Sequence, residues 1–599
     1  MCGIAGIVTT PEAREILSGR DGTLNAMARA LAHRGPDGRG DLRRESVAFT
    51  QMRLAIIDLT GGDQPLYGPQ GLALVANGEI YNYRELREDL AGEPFATNSD
   101  CEPPIYLYRR DGEDFVSSLR GMYAIALHDP AADRVILARD PFGIKPLYYM
   151  PTRLGVAFAS QPSALIAADW AERAIAPAKA VELLQLQFTT GRDTIFPDIK
   201  RVMPGETVVI EKGEIVSRRY RSCWPAPDPD AAQWQHSGEK AVERFDAVFQ
   251  DSVDLHQRSD VPYGMFLSGG VDSSAVLAMM ARLNPQPVLA FTAGFPETGA
   301  ADERAHARAV AAAAGAAHVE VEVRESDFWA ELPAIAAAMD DPVADYAIVP
   351  TWLLAREAAK SVKVILSGEG GDELFAGYGR YRAAVRPWPL RRRMRMRGIL
   401  DGLDVLREDA GASWRMGIRA SEAAVRSAGL RGLQAQQAID CLDWLPNDLL
   451  TKLDRCLMAH GVEGRVPFLD PEVARFAQML PEALRVHGRL GKYVVRRWLE
   501  KHLPESRPFT RKRGFTVPVA EWIAHRAAEV GERVAADPGV AEICRPEGVK
   551  RVFAALASEK PDKRAGFAAW TLLFYALWHR ANVAGRKPEG GVLDVLGGA

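Results

Sequence analysis

The stretch YGMFLSGGVDSSAVLAMMARL, residues 263–283, decides the fold of the larger part of the chain. Residues 263–267 read as a short strand and residues 274–283 as a helix. Between them, Ser268-Gly269-Gly270-Val271-Asp272-Ser273-Ser274 reads as a turn. Glycines let the backbone curl and aim its N–H groups at an anion, and the helix N-terminus behind adds partial positive charge. Ser268, Ser273 and Ser274 add hydroxyl donors. The loop carries neither the lysine of a Walker loop nor a G-x-G-x-x-G pattern.

Downstream, residues 288–291, 318–323 and 362–366 read as strands, with helices over 302–313 and 350–360 between them. Strands alternating with helices imply a parallel sheet with crossovers, an α/β domain. A second glycine loop follows the last of these strands: Ser367-Gly368-Glu369-Gly370-Gly371-Asp372-Glu373. Ligands of open parallel sheets gather at the carboxyl ends of strands, and both loops sit at such ends. Carboxylates beside a phosphate site need a cation, and Mg²⁺ prefers carboxylate and phosphate oxygens. Asp272 and Asp372 are the expected ligands, directly or through water. From about residue 400 to 578 helices dominate. The tail, 586–599, reads as frayed.

Upstream the pattern differs. Short β-like runs at 4–8, 72–75, 123–127, 135–138 and 207–210 are broken by Gly and Pro, with helices expected over 22–31 and 84–90. Many strands and few helices suggest stacked antiparallel sheets, an α+β sandwich. Residues 222–238 hold prolines at 225, 227 and 229 and show no periodicity. The division expected is a first domain over 2–215, a linker over 216–238 and a second domain over 239–585.

The chain has 599 residues, is 47% hydrophobic and 25% charged, and has a formal net charge of −4. That length fits two domains, and the charge excludes the basic footprint of a nucleic-acid binder. The arginines 391, 392, 393, 395 and 397 read as a solvated helix face. Cys2, Cys101, Cys223, Cys441, Cys456 and Cys544 are scattered, which suits a reducing cytoplasm better than a disulfide framework. No signal peptide and no membrane span are expected from the apolar runs.

Cys2 is the most telling single residue. Removal of Met1 would leave a thiol and a free α-amine on one residue. The thiolate is the nucleophile, and an amine titrating near ~7.7–8.0 can hold and return a proton. Four further segments stand beside it: His33-Arg34-Gly35-Pro36-Asp37, Arg53-Leu54-Ala55-Ile56-Ile57-Asp58, Asn77-Gly78-Glu79-Ile80-Tyr81-Asn82 and Ser99-Asp100-Cys101-Glu102. Together they resemble the class II, N-terminal-nucleophile (Ntn) glutamine amidotransferases, over residues 2 to about 215. The resemblance implies an Ntn-hydrolase sandwich in which Cys2 attacks the glutamine amide. Asn77 and the Gly78 N–H would form the oxyanion hole. Arg53 would take the α-carboxylate and Asp100 the α-ammonium. Leu54, Ala55, Ile56, Ile57 and Glu79 would complete the pocket.

The loop 268–274 resembles the pyrophosphate loop of the ATP pyrophosphatases, which cleave ATP between its α and β phosphates. With Cys2, the two loops resemble the glutamine-hydrolysing asparagine synthetases over nearly the whole chain. Further segments carry the likeness: 341–345, Asp454-Arg455, VEGRVPFLD at 462–470, Gly491-Lys492 and Lys512-Arg513-Gly514-Phe515. The resemblance implies that Leu267, Ser268, Gly269, Gly270, Asp272, Ser273, Ala293, Ser367 and Gly368 bind ATP. Glu369 would form and spend a β-aspartyl-AMP, and Lys492 would neutralise phosphate charge. Glutamine, aspartate and Mg-ATP would be the substrates, with an internal ammonia path, and a homodimer is compatible. The sequence departs from the family pattern at Gly371 and Gly464, where Ala is usual, and at Val271 and Leu457. The rivals are the same chemistry on a glycan uronate or natural-product acid, a β-lactam-forming synthetase, or a non-catalytic sensor.

Overall fold

A computed structural model describes residues 2–14, 21–224, 238–299, 303–386, 394–407, 413–510, 516–558 and 562–597. The expectations for Met1, for linker residues 225–237, for Arg391, Arg392 and Arg393, and for 512–515 lie outside the described residues.

The amino-terminal part is built on two six-stranded sheets. One runs in the order Lys200–Arg201, Tyr148–Thr152, Gly155–Ala159, Gly3–Thr9, Val47–Arg53, Gly38–Arg43; the other runs Glu214–Tyr220, Glu206–Glu211, Arg134–Arg139, Gly121–Asp129, Ala73–Ile80, Leu66–Tyr67. Every pairing in both is antiparallel. The strand Gly3–Thr9 shows why they stack. Ile4 and Val8 enter a core shared with Phe49, Val75, Leu137 and Phe158, while Ala5 and Ile7 enter the other core with Met27 and Leu165. Successive side chains of a strand point to opposite faces, and here both faces are covered, so the strand is apolar from Ile4 through Val8. Helices Asp21–Leu31 and Pro162–Ala167 cover the first sheet, and Tyr83–Asp89 and Pro103–Asp111 cover the second. This is the expected sandwich of stacked antiparallel sheets flanked by helices. The edge strand Glu214–Tyr220 carries it past residue 215.

The second part is built on a five-stranded parallel sheet in the order Ala317–Glu322, Leu289–Gly294, Tyr263–Phe266, Val364–Leu366, Glu463–Arg465. From Tyr263–Phe266 the chain first crosses to one side, to Leu289–Gly294, and later returns to the other, to Val364–Leu366. The strand order therefore reverses between two neighbours, and the crevice at such a switch point is where open parallel sheets bind ligands. Both glycine loops leave these two strands. The three-residue strand Glu463–Arg465 lies inside the 462–470 segment and extends the sheet expected from the sequence.

Two expectations need correction. The tail is not frayed through 597: helix Val592–Gly597 buries Val592 and Leu596, and the Leu593 and Val595 carbonyls accept bonds from Arg533 and Arg580. Nor is the arginine run a solvated helix face where it is described. Arg395 is paired with Asp440 at 3.2 Å and stacks 4.4 Å from the Trp444 ring, in non-helical backbone, although Arg397 is exposed. Asp440 is fully buried, so a counter-ion there outweighs the solvation of a surface arginine.

Buried polar contacts join the two parts. Arg34 forks onto Asp454 at 2.8 and 2.9 Å, and Arg201 onto Asp341 at 2.8 and 2.7 Å. Lys145 Nζ donates to the Gly464 carbonyl at 3.2 Å. No described helix is long and apolar enough to cross a membrane.

Candidate active site

Two separate sites emerge. The first surrounds Cys2, at the start of the strand Gly3–Thr9. It is a small cavity of about 20 Å³ lined by Cys2, Arg53, Leu54, Ile56, Ile57, Gly78, Glu79 and Asp100, with Gln51, Gln64 and Cys101 also present. That is room for about one water molecule. Neither Ala55 nor Asn77 lines the cavity. The Ala55 N–H donates to Asp37 at 2.9 Å and so ties the 53–58 loop to the 33–37 segment.

Asn77 is fully buried within the strand Ala73–Ile80. Its Oδ1 accepts from the Cys2 N–H at 3.1 Å, and its Nδ2 has no hydrogen-bond partner. An unpaired buried donor costs about 1–3 kcal/mol, so an acceptor that reached Nδ2 would be bound favourably. Gly78 admits no side chain, because a Cβ there would run into the Met122 carbonyl and the Tyr123 backbone. Burial pushes the Cys2 thiol up, opposed in part by the Leu54 N–H. A thiol held up in this way needs a base to ionise it.

Arg53 is buried and points its fork at the Leu59 and Asp58 carbonyls and at Asp63, 2.8 Å away. Asp63 is itself 80% exposed. Asp100 accepts from the Ile80 N–H at 2.8 Å. Burial raises its carboxyl to about 6, although that N–H works against the shift. Burial also raises Glu79, helped by Asp100 and Glu463 and opposed by Arg465.

The second site is a cavity of about 1090 Å³ at the switch point. Leu267, Ser268, Gly269, Gly270, Asp272, Ser273, Ala293, Ser367, Gly368, Glu369, Asp372 and Lys492 all line it. Gly269 has φ +73°, a conformation that favours glycine, and Gly270 caps the helix Val271–Leu283. Ser268 and Ser273 bond each other at 3.0 Å, which fixes the loop. Ser274 is not a wall residue: it is fully buried, with its hydroxyl unpaired. The two loops touch, since a Cβ at Gly368 would lie 2.9 Å from the Asp272 Cβ. At Gly371 a Cβ would come within 2.5 Å of Asp272 Oδ1, so this glycine leaves that carboxylate its place.

Lys492 caps the helix Tyr493–His502 with φ +60° and is 2% exposed. Its ammonium bridges Asp272 and Asp372, the latter at 2.7 Å. The two carboxylates expected to hold Mg²⁺ thus converge on one point and share a cation. Hard oxygens from one or two carboxylates beside phosphates suit Mg²⁺, so the donor set fits the ion.

Sequence reading missed Lys452, buried on the helix Leu450–Met458, two residues before the quoted Asp454-Arg455. It lines the second cavity and binds Asp345 at 2.7 Å. Burial works against its charge, but Asp345, Glu369 and Asp448 outweigh that and hold it above the usual lysine range. Burial raises the Glu369 carboxyl, with Lys452 opposing. Tyr346, Tyr378 and Arg496 complete this wall, and Gln187 reaches it from the amino-terminal part. A lysine on an apolar helix has no local pattern; only its nearness to Asp454-Arg455 hinted at it.

Comparison with known proteins agrees with this geometry. The asparagine synthase family matches residues 244–580, and a glutamine amidotransferase domain matches residues 1–221. A protein of Mycobacterium tuberculosis (strain ATCC 25618 / H37Rv) is 35% identical over 97% of each chain. The asparagine synthetase [glutamine-hydrolyzing] 1 of Bacillus subtilis (strain 168) is 31% identical over 98% of each chain. The asparagine synthetase B [glutamine-hydrolyzing] of Escherichia coli (strain K12) is 28% identical over 83% of this chain and 79% of its own. The chain belongs to the asparagine synthase family, with a glutamine amidotransferase domain ahead of its synthase domain.

Proposed function

We propose that the chain hydrolyses glutamine at Cys2 and spends the ammonia on aspartate, giving asparagine, glutamate, AMP and pyrophosphate. One pairing carries the proposal: an amino-terminal cysteine beside a buried, unpartnered amide donor, in the same chain as a glycine-walled cavity at a sheet switch point.

In the first site, with Met1 removed, the Cys2 α-amine takes the thiol proton, and the thiolate attacks the glutamine side-chain carbonyl carbon. The developing oxyanion takes the Asn77 Nδ2 donor. The C–N bond breaks and ammonia leaves with a proton returned by the Cys2 α-amine, and water then releases glutamate from the thioester. The substrate α-carboxylate replaces exposed Asp63 on Arg53, and Asp100 takes the α-ammonium.

In the second site an aspartate β-carboxylate oxygen attacks the α-phosphorus of ATP, and pyrophosphate leaves. Ammonia then attacks the acyl carbon and AMP leaves. Glu369, kept basic by burial, takes the proton that nitrogen sheds. Lys492 neutralises phosphate charge. Asp272 and Asp372 would hold Mg²⁺, which when bound supplies further charge to the pyrophosphate oxygens. We assign the acceptor's α-carboxylate to Lys452 and its α-ammonium to Asp345, a fit that a glycan acid without an ammonium cannot make. Six unpaired cysteines favour a cytoplasmic setting for this chemistry.

Glu369→Ala tests the proposal. With ATP, aspartate and ammonia it should release no AMP, while glutamine hydrolysis persists. AMP release at the wild-type rate would reject the role of Glu369.

A further inference from the structure

The segment 462–470 marks the family but has no part in the chemistry above. One of its residues touches both sites. Arg465 ends the strand Glu463–Arg465, and its carbonyl accepts from the Ser367 N–H at 2.8 Å, so its backbone holds the first residue of the adenylating loop. Its side chain is fully buried and points the other way. Nε donates to Glu463 at 2.6 Å, and Nη1 donates to the His256 and Arg258 carbonyls at 3.0 and 2.7 Å. Nη2 lies 3.3 Å from Glu79 Oε1, and Glu79 lines the cavity with Cys2.

We propose that Arg465, although it belongs to the synthase domain, is a positioning residue for the glutamine pocket and couples that pocket to the adenylating loop. The inference rests on the two-site function proposed above.

The surroundings support it. The end of the strand Ala73–Ile80, which carries Asn77, Gly78 and Glu79, is clamped from the synthase side at several points. Arg258 donates to the Tyr81 carbonyl at 2.8 Å, the Arg465 guanidinium lies 5.6 Å from the Tyr81 ring, and His256 packs on that ring at 4.0 Å. Glu79, Asp100 and Glu463 bring carboxylates into one buried region, and Arg465 is the cation that contacts both Glu79 and Glu463. The contact with Glu79 is not closed. Nη2 of Arg465 and Oε2 of Glu79 are both buried without a hydrogen-bond partner. A small shift of the strand Glu463–Arg465, driven through Ser367 when the loop meets nucleotide, would align donor and acceptor. It would set Glu79 beside the glutamine. An ion pair 3.3 Å apart whose Nη2 makes no hydrogen bond, beside a buried Oε2 that also has none, is a poised link, because both atoms gain a partner when it closes.

The test uses Arg465→Lys and Glu79→Gln in the full chain. Glutamine hydrolysis is measured with and without ATP plus aspartate, and ammonia-dependent synthesis is measured beside it. In the unaltered chain ATP plus aspartate should raise kcat/KM for glutamine about 5-fold or more. Each variant should lose that stimulation and raise KM for glutamine more than it lowers kcat. The double variant should be no worse than either single one, because both break one link. Arg465→Lys should keep ammonia-dependent synthesis, which separates positioning from mere support of the fold. Retained stimulation, additive effects or joint loss of ammonia-dependent synthesis would each overturn the proposal. A chain that hydrolyses glutamine but makes no asparagine under any condition would instead overturn the proposed function.

Discussion

The two sites are opposites in construction. Around Cys2 the walls are side chains, and the space is about 20 Å³. The donors and acceptors already grip one another, as Arg53 grips Asp63 and Asn77 grips the Cys2 N–H. At the switch point the cavity is about 1090 Å³, and much of its wall is backbone, with glycines at 269, 270, 368 and 370. The difference follows from the sheets. An antiparallel sandwich buries both faces of its strands, so a site inside it is carved between packed side chains. A parallel sheet opens a crevice where its strand order reverses, and loops with exposed N–H groups face a large polyanion there. The first site offers a close fit to a small molecule, and the second offers charge and backbone donors.

The comparison can be broken first at the seam between the sites. Arg34 donates to the Cys2 carbonyl at 3.2 Å and forks onto Asp454, on the helix that carries Lys452. Burial alone would raise the Asp454 carboxyl, but Arg34 holds it well below the usual range. Asp454→Asn should leave the Arg34 charge buried and cost about 3–5 kcal/mol of unfolding free energy. Urea denaturation measures it, and a loss near zero would mean that the pair is not desolvated.

A smaller effect should separate the sites by pH. Asp100 is a carboxylate above about 6 and neutral below it. On the proposed assignment, the glutamine α-ammonium loses its partner as pH falls through that value. kcat/KM for glutamine should therefore drop by up to about tenfold per pH unit. Asp100→Asn should be low at every pH and lose the inflection. An unchanged inflection in that variant would assign the titration to another group.

Much of this was legible in the sequence, for identifiable reasons. The strand, glycine turn and helix at 263–283 are local, and so is the repeat of that pattern at 362–375. Their position at a switch point follows from one crossover to each side. Cys2, Arg53, Gly78 and Asp100 do come to one cavity although nearly a hundred residues separate them, because each sits in a segment with its own motif. What stayed hidden depends on contacts with no local signature. Lys452 is one lysine on an apolar helix. Arg395 looked solvated until Asp440 and Trp444 were seen to flank it. The tail helix docks through Val592 and Leu596, too few apolar residues to show a period. The strand Glu463–Arg465 is three residues long and holds two charged ones, so no alternation could announce it.

The central claim is a division of labour between two separate sites, each with its own chemistry, and Cys2→Ala tests it most directly. Asparagine formation from ATP and aspartate is measured with glutamine and, separately, with an ammonium salt. The glutamine-dependent rate should vanish while the ammonium-dependent rate stays close to that of the unaltered chain. Equal loss of both would contradict the account.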